Sequence, residues 1–168
     1  MSEESKTEMD QAKKTVPEAQ QFIIERLYIK DASFESPNAP SIFQDWNPDT
    51  NLQLNSNTNR LAEDQYEVEL TITVTVKSND KTAFLVEIKQ GGIFLIRGYP
   101  QEQMGHILAS YCPGSLFPYI REAIASLVSK GGFPELHLSP INFDALYAQN
   151  LQEQQQRQAQ AQKAETSH

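Results

Sequence analysis

Strict alternation of apolar and polar residues between positions 65 and 77 is the clearest pattern in this chain. One parity holds Tyr, Val, Leu and Ile, and the other holds mainly Glu, Thr and Lys. Because successive side chains of a strand point to opposite faces, this stretch predicts a half-buried β-strand. The polar turn at residues 78–81 then predicts a hairpin with the strand that follows.

Three weaker patterns predict further strands. They cover residues 22–34, residues 52–54 and residues 82–99, the last of them bent at Gly91 and Gly92. Glycine would allow a β-bulge there without a Cβ clash. The polar run at 55–60 fits either a turn or a frayed strand, and three prolines predict a crossover loop at 36–51.

Helical periodicity follows the strands. Three apolar stripes run from Met104 to Tyr111, from Phe117 to Val128 and from Phe143 to Leu151. Pro113 and Gly114 interrupt the first stripe before the second begins, and Asn142 can cap the third. Strands followed by helices predict an α+β fold, with a four-stranded antiparallel sheet and helices packed on one face.

The same patterns predict one domain at residues 21–151. We expect residues 1–20 to form a disordered extension and the Gln-rich residues 152–168 to form a flexible tail. The predicted sheet is apolar on much of both faces, whereas helices cover only one. We therefore expect a homo-oligomer whose interface includes Val86, Ile88 and Gln90.

Composition narrows the classes of function. The 168 residues carry a formal net charge of −8, which disfavours nucleic-acid binding because phosphate contacts need clustered Lys and Arg. No segment reaches the roughly 18 apolar residues of a membrane helix, and residues 1–20 lack the apolar region of a secretory signal. One cysteine, Cys112, fits a reducing compartment. We expect a cytoplasmic protein without stable membrane insertion.

No group of residues predicts catalysis or a bound cofactor. His106 and Cys112 lie six positions apart on a helical pattern and share no face, and no third group is placed to orient the histidine. His137 has no ligand-type neighbour in a matching pattern, so the histidines and the cysteine do not predict a metal site. We expect no enzyme activity, no metal and no cofactor.

An acidic row at Asp31, Ser33 and Glu35 is the first candidate for binding. Such a row is usually a solvated strand face. If Leu85 and Glu87 lie beside it in the sheet, an apolar side chain ringed by carboxylates would suit a basic, partly apolar partner.

Aromatic residues form the second candidate set: Phe43, Trp46, Tyr119, Phe133, Phe143 and Tyr147. Those on helix stripes are more often part of a core than of a ligand site. Trp46 differs because it lies in a proline-flanked loop, where burial is less favourable. A loop with aromatic side chains over a helix would form an apolar groove for extended peptides of varied sequence.

Four segments together resemble one protein family. They are KDASFESPNAP at 30–40, AFLVEIKQGGIF at 83–94, LFPYIRE at 116–122 and GFPELHLSPINFDAL at 132–146. These segments resemble the bacterial SecB family of protein-export chaperones, and the likeness covers about residues 22–151. Gly105 departs from the family's small alanine, which weakens the helix by up to about 1 kcal/mol.

The resemblance implies a homotetramer, built as a dimer of dimers with helices between two sheets. It implies ATP-independent holding of unfolded precursor proteins and their delivery to the SecA translocation motor, whose zinc-containing C-terminal module would bind the sheet surface. The positions that match SecA binding are Asp31, Glu35, Leu85 and Glu87. The family's client groove matches, by region, Phe43, Trp46, Phe143 and Tyr147.

Two other classes of function stay open at this point. An adaptor would recognise a single folded partner through the sheet face and would ignore unrelated unfolded proteins. A small-molecule enzyme would use a pocket under the loop, but the sequence offers no acid–base pair for it.

Overall fold

One antiparallel sheet of four strands forms the first part of the computed structural model, which describes residues 19–165. The strands are β1 (Gln21–Glu35), β2 (Pro48–Arg60), β3 (Gln65–Ser78) and β4 (Lys81–Arg97). Their order across the sheet is β1-β4-β3-β2, so β1 and β2 are the two edges. The extension predicted at residues 1–20 lies almost wholly outside the described residues, as does the end of the tail.

A nearly continuous helical run follows the sheet. It comprises α1 (Gln101–His106), a π-helical turn (Ile107–Tyr111) and α2 (Cys112–Lys130), and α3 (Phe143–Glu165) comes after an extended segment. The predicted break at Pro113 is absent. Proline lacks an N–H and crowds the carbonyl four residues earlier, and the wider π turn just before it accommodates both effects.

The core lies between α2 and the inner face of the sheet. From β3 and β4 the fully buried residues are Val68, Leu70, Ile72, Val74, Val86 and Ile88, and from α2 they are Leu116, Ile120, Ile124 and Val128. Burial of each such side chain contributes about 1.5–3 kcal/mol. The predicted α+β fold, with helices on one face of an antiparallel sheet, is confirmed.

The oligomer interface predicted at Val86, Ile88 and Gln90 stays a prediction, but these residues do not reach the surface of the single chain. Their side chains are 0%, 0% and 4% exposed in the single chain, because they lie on the face that α2 covers. The apolar parities of β3 and β4 share one face, and the opposite face carries Thr73 and Glu87, which hydrogen-bond each other. The sequence pattern predicted which residues of each strand share a face. It did not predict which of these faces lie on the same side of the sheet. Assembly itself stays a prediction.

Gly91 and Gly92 are sites of close packing rather than a bulge. A Cβ at Gly91 would lie 2.4 Å from the Tyr28 ring, and one at Gly92 would lie 2.8 Å from Leu116. The bulges opposite this region are in β1, where the register shifts between Ile24 and Arg26 and again after Ile29. The predicted bulge position is therefore wrong. The glycines are needed because Tyr28 and Leu116 occupy the space of a Cβ.

Two elements extend further than their sequence suggests. The Asn-rich run 55–60 belongs to β2 and pairs with β3 as far as Arg60, because pairing overrides the weak strand propensity of asparagine. Helix α3 continues through the Gln-rich region to Glu165. The predicted flexibility of that region stays a prediction. No helix in residues 19–165 is long and apolar enough to cross a bilayer.

Candidate binding surfaces

The acidic sheet face, defined here as Asp31, Glu35, Leu85 and Glu87, is formed by β1 and β4. Cross-strand register places Glu35 opposite Leu85 and Ser33 opposite Glu87. Asp31 and Glu35 are exposed, whereas Leu85 and Glu87 are half-buried. Thr73 on β3 donates a hydrogen bond of 2.7 Å to Glu87 Oε2, which fixes that carboxylate. The four side chains predicted for partner binding therefore lie together on one face.

A hydrogen-bonded cluster borders this face, and the sequence did not predict it. The Tyr28 hydroxyl crosses β4 above Gly91 and donates to Glu67 on β3. Lys30 bridges the same two strands, with its Nζ 3.2 Å from Glu67 Oε1 and 2.9 Å from Glu69 Oε2. A glycine within a strand signals such a close approach, and here that was the only clue in the sequence.

Electrostatics reinforce the cluster. Burial raises the pKa of Tyr28 to about 12, and its hydrogen bond to the Glu67 carboxylate adds to the rise. The bond from Tyr28 is in turn the main cause of the lowered pKa of Glu67. Hydrogen bonds to Glu69 and Glu67 raise the pKa of Lys30. At neutral pH the cluster therefore holds Tyr28 neutral, Lys30 positive and Glu67 negative, which ties β1 firmly across the sheet.

Phe133 is the base of an aromatic pocket of about 410 Å³ that also includes Phe43 and Trp46. The Phe133 ring is 5% exposed and lies 5.0 Å from the Phe43 ring and 5.5 Å from the Trp46 ring, centroid to centroid. On its other side it contacts the buried Phe84 ring at 4.8 Å. Phe43 and Trp46 stay 45% and 40% exposed. The pocket thus presents two open aromatic side chains on a base that belongs to the core.

The end of α2 positions Phe133. The amide of Gly132 donates to the Ser129 carbonyl and the amide of Phe133 donates to the Val128 carbonyl, which is a Schellman motif. Gly132 has φ +84°, the left-handed conformation that the motif requires. The sequence K-G-G-F therefore ends the helix and turns the next aromatic side chain back onto the core.

Hydrogen bonds fix the crossover loop that carries Phe43 and Trp46. Ser36 Oγ and Asn38 Nδ2 donate to carbonyls at the start of β4, each at 2.9 Å. At the other end of the loop, buried Ser78 donates to the Asp45 carbonyl and accepts from the Asn47 amide. The two exposed rings therefore stand on an anchored loop.

Phe143 and Tyr147 line a second cavity of about 580 Å³, which we call the β2–α3 cleft. Its other lining residues are Leu52, Leu54, Asn55, Ser56, Thr58, Ala109, Ile141, Leu146 and Asn150. Phe143 is buried and its ring lies 6.0 Å from the Phe117 ring, as expected for a residue of the core. The structure therefore divides the four predicted client residues between two cavities that share no lining residue.

Asp144 anchors the first turn of α3. Its Oδ1 accepts a hydrogen bond from Ser110 Oγ and lies 2.7 Å from His106 Nε2. These two bonds, with Ser110 the larger cause, lower the pKa of Asp144. Asn142 caps the helix, accepting from the Ala145 amide at 3.0 Å, as predicted. A Cβ at Gly105 would lie 2.9 Å from the Tyr147 hydroxyl, so the tyrosine side chain packs closely on this turn of α1.

The arrangement around Cys112 is unsuited to nucleophilic catalysis. The side chain is fully buried, and burial raises the pKa of its thiol to about 12, so the thiolate is scarce at neutral pH.

A cavity of about 670 Å³ on the outer side of α2 is lined by charged side chains, among them Arg121, Glu122 and Lys130. It contains none of the residues predicted for binding.

Comparison with known proteins assigns the chain to a family. The family model described as preprotein translocase subunit SecB matches residues 15–154. The chain belongs to the SecB family. A protein-export protein SecB of Nitrosococcus oceani is 56% identical over 138 residues, covering 80% of this chain and 84% of that protein. One of Marinobacter nauticus is 52% identical over 149 residues, covering 88% and 90%.

A solved structure agrees in fold. A SecB-like chaperone of Mycobacterium tuberculosis, solved with a ChAD peptide from an antitoxin, superposes with a TM-score of 0.57 at 15% identity. The superposition covers 71% of this chain and 90% of that one. SecB proteins are export chaperones and not enzymes, so the predicted function is confirmed and the enzyme alternative is excluded.

Proposed function

We propose that this SecB protein holds unfolded precursor proteins in the cytoplasm without ATP, assembles as a homotetramer and delivers its clients to SecA. The observation that carries client holding is the aromatic pocket, where Phe43 and Trp46 stay open to solvent on a rigid support. Large exposed rings lose little conformational entropy on binding and accept many side chains. The β2–α3 cleft adds a second contact, so an extended client would gain affinity from several weak sites.

Trp46→Ala tests client holding. We expect an unfolded client protein to bind several-fold more weakly, because an aromatic contact of this kind contributes about 1–3 kcal/mol. The chain should stay folded, because Trp46 is 40% exposed and is not one of the buried core residues. Titration with a fluorescent unfolded protein measures the client affinity of the wild type and of the variant.

Leu61→Ala is the control, because Leu61 is 50% exposed in the β2–β3 loop, outside both cavities. Titration curves for Trp46→Ala and wild type that coincide would contradict the pocket.

SecA binding is proposed for the acidic sheet face. Glu35 lies opposite Leu85 and Glu87 is the next residue of the same face along β4, while Asp31 lies further along β1, opposite Lys89. Carboxylates beside an apolar side chain suit a basic partner with one apolar contact. Glu87→Lys should abolish measurable SecA binding while client affinity stays unchanged, because the sheet separates this face from both cavities. Glu63→Lys in the β2–β3 loop makes the same charge change away from the face. Calorimetry with SecA compares the two, and equal affinities for both variants would refute the assignment.

A further inference from the structure

We propose that a pocket between the π-helical turn and the start of α3 binds one arginine side chain of an unfolded client. We call it the Tyr111–Asp144 pocket, after the two side chains that would contact the guanidinium group. This inference rests on the proposed holding of unfolded clients. It adds a charged subsite to a recognition that otherwise depends on apolar contacts.

The Tyr111–Asp144 pocket lies beside the β2–α3 cleft and has a volume of about 360 Å³. Ile141 and Phe143 line both cavities, so the two meet at the first turn of α3. In the described part of the chain, the residues that line the cleft and the aromatic pocket are uncharged, whereas Asp144 contributes a carboxylate here. Of these three cavities, only the Tyr111–Asp144 pocket therefore offers a counter-charge to an arginine that lies next to an apolar client stretch.

One oxygen of the Asp144 carboxylate is available to a ligand. Within residues 19–165, the hydrogen bonds that join this side chain to Ser110 and His106 both end on Oδ1. The bond from Ser110 is the main cause of the lowered pKa of Asp144, so the carboxyl group is ionised at neutral pH. The side chain is 73% exposed, which leaves Oδ2 able to accept a charge-assisted hydrogen bond.

Tyr111 supplies an exposed aromatic ring on a fixed support. The residue is 58% exposed, and its ring centroid lies 4.7 Å from that of Phe22, which in turn lies 5.6 Å from the buried Phe94 ring. Tyr111 is the last residue of the π-helical turn, and such turns recur at functional sites. A guanidinium group stacks on an aromatic ring more favourably than an ammonium group does, so the pocket should prefer arginine to lysine.

Charge identifies the occupant as part of a basic client. The chain carries a net charge of −8, which attracts basic segments and repels a second copy of itself. Among the described residues, no lysine or arginine lines the pocket or pairs with Asp144, so the carboxylate is not neutralised from within the chain by either residue type. The occupant is therefore an arginine beside an apolar stretch of an unfolded polypeptide.

A pair of peptides tests the pocket. Both are short and unfolded and contain Gly, Ser, Phe and Leu. One has a single arginine next to the apolar residues, and the other has citrulline there, which has nearly the same shape without the charge. The wild type should bind the arginine peptide about fivefold more tightly, as fluorescence anisotropy measures. Equal affinities for the two peptides would overturn the proposal.

Two substitutions should remove or reduce this preference. Asp144→Asn keeps a side-chain oxygen that can accept from Ser110 but loses the charge, so the two peptides should bind equally. Tyr111→Leu removes the ring and should reduce the preference to about twofold. A fivefold preference that persists in Asp144→Asn contradicts the pocket. If Asp144→Asn also weakens the citrulline peptide, α3 has moved, and Tyr111→Leu then decides, because an undiminished preference in that variant overturns the proposal.

Glu63→Gln is the control for overall charge, because it removes one negative charge in the β2–β3 loop, outside the pocket. The fivefold preference should persist in this variant. If the preference falls as far as in Asp144→Asn, arginine responds to the field of the whole chain and the pocket is refuted. If unfolded proteins bind but arginine gains nothing over citrulline, the subsite fails while client holding stands. If neither the peptides nor unfolded proteins bind, the proposed function itself fails.

Discussion

Gly91 has no Cβ, and this leaves room for the Tyr28 ring at the border of the acidic sheet face. Tyr28 passes over this residue to reach Glu67, and the ring occupies the space that a Cβ would need. A methyl group at this position would lie 2.4 Å from the ring, far inside van der Waals contact. The Tyr28–Glu67 bond and the glycine therefore depend on each other.

Gly91→Ala should displace Tyr28 and destabilise the chain by about 1–3 kcal/mol, the usual cost of overpacking. As the ring moves toward water, the pKa of Tyr28 should fall from about 12 toward its ordinary value of 10.0. Urea unfolding measures the first effect and ultraviolet titration of tyrosine the second.

Gly114→Ala is the matched control for this change, because a Cβ there would meet only Phe143, at an ordinary 3.7 Å. Within a helix the alanine should be neutral or stabilising. If both variants unfold like the wild type, Tyr28 adapts freely and the proposed mutual dependence is wrong.

The sequence predicted some residues of the candidate surfaces but missed the contact between Tyr28 and Glu67. Strand parity placed Leu85 and Glu87 on one face of their strand, and the register of β1 with β4 placed them beside the acidic row. The contact between Tyr28 and Glu67 spans two strand spacings and exists only because β4 lies between β1 and β3. Strand order was not encoded in any local pattern, so this cluster could not be predicted.

At the scale of elements, local periodicity predicted that each strand and helix exists, but not all of their boundaries or the faces that they bury. The apolar parities of β3 and β4 were both evident, but the burial of Val86 and Ile88 within the single chain depends on how the sheet packs on α2 and was not evident. The polar run of β2 also followed tertiary pairing, because β3 supplies a partner for every residue of it. These outcomes depend on neighbours distant in sequence.

The hydrogen bond from the Ser110 hydroxyl to Asp144 helps to attach α3, and a substitution at Ser110 tests this. Ser110→Ala removes the larger cause of the lowered pKa of Asp144, so that pKa should rise, while staying below its usual range because His106 remains. Carboxyl titration by NMR measures it, with Ser139→Ala in the exposed loop as the control. An unchanged Asp144 titration would show that Ser110 does not hold the helix.

The sign of the pH effect follows from that lowered pKa. A carboxyl whose pKa is depressed on folding contributes stability above its unfolded value of about 3.9, and the contribution is lost as pH falls through the folded pKa. The attachment of α3 should therefore be complete near neutral pH and weaken only in acid. Ser110→Ala should shrink this acid-dependent loss.

At the scale of the whole molecule, the sheet separates two kinds of surface. The acidic sheet face lies on the outer side, while the aromatic pocket and the β2–α3 cleft open on the side of the helices. With the binding sites proposed above, we expect a client and SecA to bind at the same time, as delivery requires. The inner face is also incompletely covered at β1, where Ile24 and Ile29 stay exposed beyond α2.

This uncovered apolar strip at β1 predicts where copies of the chain meet. Burial of isoleucine on a partner is favourable, whereas lysine at the same position would carry an unpaired charge into the contact. The wild type should have four times the mass of one chain by light scattering, and Ile29→Lys should have a lower mass with an unchanged circular dichroism spectrum. Ile29 is 52% exposed and Leu61 in the β2–β3 loop is 50% exposed, so Leu61→Lys is a control of equal exposure. A tetramer that persists in Ile29→Lys would move the interface away from β1, and a wild-type monomer at micromolar concentration would remove assembly altogether.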